Sequence, residues 1–217
     1  MSISKISSKG FQDILSFEVI SFVLKIGLGS IFIWVAIIYI YWQELLSIIS
    51  SYITLIPWEW LRTTGSAMAT LMIGYILIII TVSLLTSLYS EKLLIKLAKK
   101  HYDIDSIGTP NSITSIIITI KAILKFIILF IILFLSLFIP IIGQIIMLYL
   151  WSILLRDPTV YDVGTLFISD KNILKQKSKK ATTISMIASL FNYIPILNIF
   201  APIYAQILFL HHILEED

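Results

Sequence analysis

No cysteine occurs anywhere in the 217 residues. Disulfides, thiolate metal sites and cysteine nucleophiles are therefore excluded. Charge is scarce as well: Asp, Glu, Lys and Arg make up 13% of the chain, about half the share usual in a soluble domain. Three histidines are present, His101 in a polar connector and the pair His211–His212 in the stretch HHILEED. Adjacent histidines point about 100° apart on a helix, so the pair cannot grip one ion as i, i+4 ligands do. HHILEED is accordingly read as a solvated tail without metal. No glycine-rich phosphate loop is present, and no serine or carboxylate has a partner at motif spacing. Neither an enzyme nor a cofactor is expected. A net charge of +3 gives no support to nucleic-acid binding, and no cleaved signal peptide is evident.

What the chain does have is apolar length. Hydrophobic residues reach 58% and mean hydropathy is +0.97, which describes an all-α integral membrane protein rather than a globule. Four stretches carry no charge: Ile26–Trp42, Gly65–Tyr89, Phe126–Leu155 and Ala181–Leu210, of 17, 25, 30 and 30 residues. A straight span needs about 20 residues. The first two fit single long transmembrane helices. The last two are too long, and each is interrupted in nearly the same words: FIPIIGQI (138–145) and YIPILNIF (193–200). Proline in mid-helix removes a hydrogen bond and clashes with the preceding turn. Each segment is expected to be two arms of about 15 residues, roughly 22 Å apiece, that enter the membrane part-way and return at Pro140 and Pro195.

The lysines agree. Residues 91–125 hold six and residues 156–180 hold five with Arg156, whereas 43–64 has Arg62 as its one basic residue. The positive-inside rule then places the N-terminus in the cytoplasm, 43–64 outside, and both basic regions inside if the hairpins do not cross. A single domain over 1–217 follows: an interfacial helix at 11–24, spans at 25–51 and 64–100, and hairpins at 113–156 and 181–212. Lys92, Lys96 and Lys100 share a helical face, and so do Lys171, Lys175 and Lys179. Both stripes fit lipid headgroups on the cytoplasmic side. Backbone exposed at mid-membrane must be covered, so a homo-oligomer is expected.

Polar residues cluster at the breaks. Gln144 follows the first, Asn192 and Asn198 bracket the second, and Pro202 lies beyond. Broken helices can aim free amides at an anion, with Gly143 and Asn198 in equivalent places. The same amides could instead only cap the broken ends. The cations for an anion site are Lys25, Lys121, Lys125 and Arg156.

FIPIIGQIIMLYLW (138–151) and SLFNYIPILNIFAPIYA (189–205) together resemble the CysZ family of bacterial inner-membrane sulfate permeases, which includes the etoposide-induced proteins. The second block carries Pro195, Asn198 and Pro202 as a matching set. The resemblance implies half-membrane hairpins, an oligomer and sulfate uptake without ATP hydrolysis. It covers essentially the whole chain. The family's Gly-Leu-Arg motif is replaced here by FEVISFVLK (17–25), with Glu18, Ser21 and Lys25 but no arginine. The expected function is an anion permease or channel, passive or ion-coupled, for sulfate or a related oxyanion. The alternative is a non-transporting protein that binds lipid or scaffolds partners through its lysine-rich cytoplasmic face.

Overall fold

The structure, a computed structural model, describes residues 3–52, 58–194 and 196–215. Every regular element among the described residues is helical. The α-helices are α1 (Ile3–Ile14), α2 (Phe17–Ile40), α3 (Trp42–Tyr52), α4 (Glu59–Tyr89) and α5 (Glu91–Tyr102). After them come α6 (Ser112–Leu133), α7 (Ile142–Phe167), α8 (Lys171–Lys177), α9 (Ala181–Ser189) and α10 (Ala201–Leu214). Short 3-10 turns lie at Phe134–Phe138, Ser178–Lys180, Leu190–Tyr193 and Leu197–Phe200. Among the described residues, four segments are long and apolar enough to cross a membrane: Phe17–Ile40, Arg62–Tyr89, Ser112–Leu137 and Leu197–Leu214. The chain is a multi-pass, all-α membrane protein.

Several boundaries differ from those read in the sequence. Residues 11–24 are not one interfacial helix, because α1 ends at Ile14 and α2 has begun by Phe17. The segment 43–64 is largely helical, in α3 and the start of α4. The arms of the first hairpin exceed 15 residues, since α6 has 22 and α7 has 26, whereas in the second α9 has 9 and α10 has 14. Charge ends an apolar stretch without ending a helix, and α7 runs on through Arg156 and Pro158 to Phe167. By length alone α6 with the following 3-10 turn could cross. Pro202 lies at the start of α10, where a missing N–H costs nothing. Pro195 lies outside the described residues.

The chain divides into two compact units, Leu24–Val82 and a second made of 1–23 with Ser83–Asp217. In Leu24–Val82, parts of α2 and α4 pair antiparallel. Trp34 Nε1 donates to Thr81 Oγ1 at 2.8 Å, and the Ser50 and Ser66 hydroxyls meet at 2.7 Å. Small residues form the inner face: Gly27, Ser30, Ser66, Thr70 and Gly74 are buried, while Phe32, Val35, Met68 and Met72 face outward. Small-inside, large-outside is how helices pack in lipid, where no hydrophobic force pulls them together.

The larger unit is built on two antiparallel hairpins. In the first, Ser115 meets Asp162 and Phe126 stacks near Trp151, with ring centroids 5.2 Å apart. Those pairs share one midpoint near residue 138, so the chain reverses there. In the second, Phe191 lies edge-on to Tyr204 at 5.0 Å, and the Lys177 ammonium donates to the Ile213 carbonyl at 2.8 Å. At the centre is α10, buried over nearly its whole length and packed against α1, α5, α7 and α9. Its apolarity is spent on the protein itself rather than on lipid.

Candidate functional site

The two hairpin tips are the same structure used twice. Ile139 N–H donates to Ser136 O, and Ile194 N–H to Phe191 O. Gly143 N–H then donates to Ile139 O at 2.8 Å, and Asn198 N–H to Ile194 O at 3.2 Å. The residue after each proline, Ile141 and Ile196, has positive φ, 68° and 74°. A β-branched residue there is an outlier held by its surroundings. Ile142 N–H closes back on Pro140 O at 2.8 Å, which makes the first tip a γ-turn.

These bonds bear on the anion reading. At the start of α7, the amides of Ile142, Gly143 and Ile145 are all taken by carbonyls of the tip itself. The second tip uses the Asn198 amide in the same way. The tips cap themselves. Gly143 is buried against the backbone of Leu137, so close that a Cβ would lie 2.1 Å from the Leu137 carbonyl oxygen. The Gln144 side chain is exposed, and the Gln144 backbone carbonyl accepts from the Tyr193 hydroxyl, joining the tips. Asn192 and Asn198 are buried within the second hairpin.

A more favourable place lies at the other end of the apolar hairpin. Lys125 on α6, Tyr149, Ser152, Arg156 and Asp157 on α7, and Thr182 on α9 line a small cleft of about 40 Å³. That is room for a few water-sized groups. Asp157 holds the Arg156 guanidinium through Nη1 at 3.5 Å. Arg156 Nε is buried and has no acceptor. A buried donor left unmade costs about 1–3 kcal/mol, more when charged. Lys125 and Thr182 line the same cleft, and the Ser152 hydroxyl there donates to the Tyr149 carbonyl at 2.7 Å.

The remaining expected residues are dispersed. Ser21 is half-buried near the start of α2, and Lys25 is exposed in the Leu24–Val82 unit. Lys92, Lys96 and Lys100 do share an exposed face opposite the buried Leu94, Leu97 and Ala98. Two of them are paired: Lys96 Nζ lies 2.6 Å from Glu18 Oε1, and Lys100 Nζ lies 3.6 Å from Asp13 Oδ1. Glu18 is thus answered by α5. Lys171 and Lys175 are exposed on α8, and Lys179 is exposed in the 3-10 turn that follows it.

Two buried polar clusters escaped the sequence reading. Asp162 accepts from Ser87 and from Ser115 at 2.8 Å, and Gln206 Nε2 donates to it at 3.3 Å. One carboxylate thereby joins α4, α6, α7 and α10. The other cluster is Asp13 with His101 and His211. The part of HHILEED at residues 211–214 is no solvated tail: His211 is fully buried, and Leu214 nearly so. Only distance in sequence hid these contacts, since Asp13 and His211 stand 198 positions apart.

Residues 7–202 match the family described as sulfate transporter CysZ/etoposide-induced protein 2.4. The chain belongs to that family. Its description is that of a transporter family, in keeping with the apolar helices and paired hairpins. No curated protein and no solved structure was found to match the chain.

Proposed function

We propose that the protein is an inner-membrane anion permease or channel for sulfate or a related oxyanion, passive or ion-coupled, acting as a homo-oligomer with its N-terminus in the cytoplasm. Family membership supports the transport class. The observation that carries the site is Arg156 Nε, buried without an acceptor in a cleft shared with Lys125. Both residues flank the charge-free stretch 126–155, which supports reading the cleft as a point of ion entry or exit. Asp157 on the same rim repels anions and weakens their hold. A conducting site must release what it binds.

The test is radiolabelled sulfate uptake into proteoliposomes, with unlabelled sulfate and sulfite as competitors. Wild type should show saturable uptake. Arg156→Gln and Lys125→Ala should each weaken half-saturation by about tenfold or more, the worth of one charge-assisted hydrogen bond. Lys25→Ala and Asn198→Ala, the sites first read from the sequence, belong in the same series. Unchanged uptake in Arg156→Gln and Lys125→Ala would remove the cleft from the pathway. No uptake by folded wild-type protein would remove sulfate.

The lipid-binding reading has one observation in its favour. Gln176, Lys177, Lys179, Lys180 and His212 line a cleft of about 250 Å³, with the basic character that suits a phosphate headgroup. Lys179→Glu with Lys180→Glu should abolish binding to anionic vesicles and leave sulfate flux intact if that cleft serves lipid.

A further inference from the structure

We propose that Asp13, His101 and His211 form a binding site for one divalent d-block cation of the zinc class, which staples α1, α5 and α10 together. The three residues come from helices far apart in sequence, yet their ligand atoms all lie within 4.8 Å of one another. Both imidazoles turn the same nitrogen to the same carboxylate: His101 Nε2 lies 2.8 Å from Asp13 Oδ1, and His211 Nε2 lies 2.9 Å from Oδ2. Two imidazoles and one carboxylate match the protein donor set of three-ligand zinc sites. Calcium and magnesium prefer all-oxygen shells.

Hydrogen bonding beyond the three ligands also fits this use. When His211 gives its Nε2 lone pair to a metal, its proton must sit on Nδ1 and find an acceptor. The Tyr102 hydroxyl lies 2.8 Å from Nδ1 and can accept there, or donate when the metal is gone. That contact orients His211 from outside the ligand set. Such outer partners are typical of metal-bound histidine.

Access and charge also fit. His211 and Asp13 are 0% and 2% exposed, whereas His101 is 26% exposed and opens one side of the site to solvent. Lys100 Nζ, 3.6 Å from Asp13 Oδ1, occupies the outer edge on a side chain 57% exposed. It can swing away as a dication enters. Lys9 is already paired with Glu215 at 3.3 Å. This site is separate from the Lys125–Arg156 cleft, and its test does not depend on what the protein transports.

The experiment is titration of tag-free, chelator-treated full-length protein in detergent with cobalt chloride and zinc chloride. Binding is read by calorimetry and by the visible bands of four-coordinate cobalt. One ion per chain should bind saturably, and zinc should displace cobalt. His101→Gln, at the exposed side and compatible with folding, should weaken binding by about a hundredfold. Tyr102→Phe should weaken it by about 10- to 100-fold, as loss of an outer partner does. His212→Gln, whose Nε2 faces the Lys177 carbonyl, should change nothing. Absence of saturable binding by monodisperse wild type would overturn the site. So would binding unchanged in His101→Gln, and the cluster would then be a proton-bridged clasp alone.

Discussion

At the scale of single residues, Gly143 shows how little room a hairpin tip leaves. An added methyl would stand 2.1 Å from the Leu137 carbonyl oxygen and 2.7 Å from its carbon, both backbone atoms that cannot step aside. Overpacking of this kind costs about 1–3 kcal/mol or more. Gly143→Ala should therefore lower the thermal midpoint in detergent by several degrees, about 2–4 °C for each kcal/mol at this chain length. Gly65 has nothing within 4 Å of such a methyl, and alanine is the better helix former. Gly65→Ala should leave the midpoint unchanged or raise it. Equal effects at the two glycines would mean that the close approach at Leu137 does not exist. The sequence showed that something breaks at 140 and 195, because proline announces itself. It did not show that the next residue takes positive φ, since isoleucine is among the residues least expected there.

At the scale of elements, the helices pack by two different rules. Between Leu24 and Val82 the inner faces are small and the outer faces large, and composition alone made those two spans legible. α10 breaks the pattern, being as apolar as a span yet buried by protein. Its length and hydropathy could not reveal this, because partners rather than composition decide whether an apolar helix meets lipid. α1 docks on α10 through Gly10, where a methyl would press on Leu208 Cδ2 at 2.6 Å. The Tyr204 hydroxyl also bonds to the Ser7 carbonyl at 3.3 Å. Gly10→Val should loosen that contact, since two methyls more than fill a space already short for one. Limited proteolysis should then release the 1–14 segment faster from Gly10→Val than from wild type. Equal release rates would show that α1 is held by its polar contacts alone.

At the scale of the whole molecule, Asp162 and the two tips bear the most. Removing the Asp162 carboxylate leaves three buried donors without their acceptor, at about 1–3 kcal/mol each. Asp162→Ala should fail to give monodisperse protein, whereas Asp162→Asn, which keeps one acceptor oxygen, should be milder. Identical yields would mean that the network is incidental. The tips carry exposed apolar side chains, with Ile141 and Ile196 each about three-quarters exposed. In the proposed homo-oligomer a neighbouring copy covers at least one of them. With no native cysteine, Ile141→Cys and Ile196→Cys each place a single thiol at one tip. Disulfide-linked dimers on oxidation in membranes would locate the contact, and monomers from both would argue that lipid covers the tips.

The burial of α10 also sets an order of events during synthesis. Among the described helices, α1 leaves the ribosome first and α10, which completes the larger unit, leaves it last. Contacts so distant along the chain form slowly. Asp13 therefore waits for a partner 198 residues away while the spans between are already being threaded into the bilayer. Throughout that interval α1 has an amphipathic surface and no place to dock, and the membrane surface is its nearest shelter. A nascent chain halted before Ala201 would hold its spans and its first hairpin but have no centre, and quality-control proteases should recognise it by its undocked N-terminal helix.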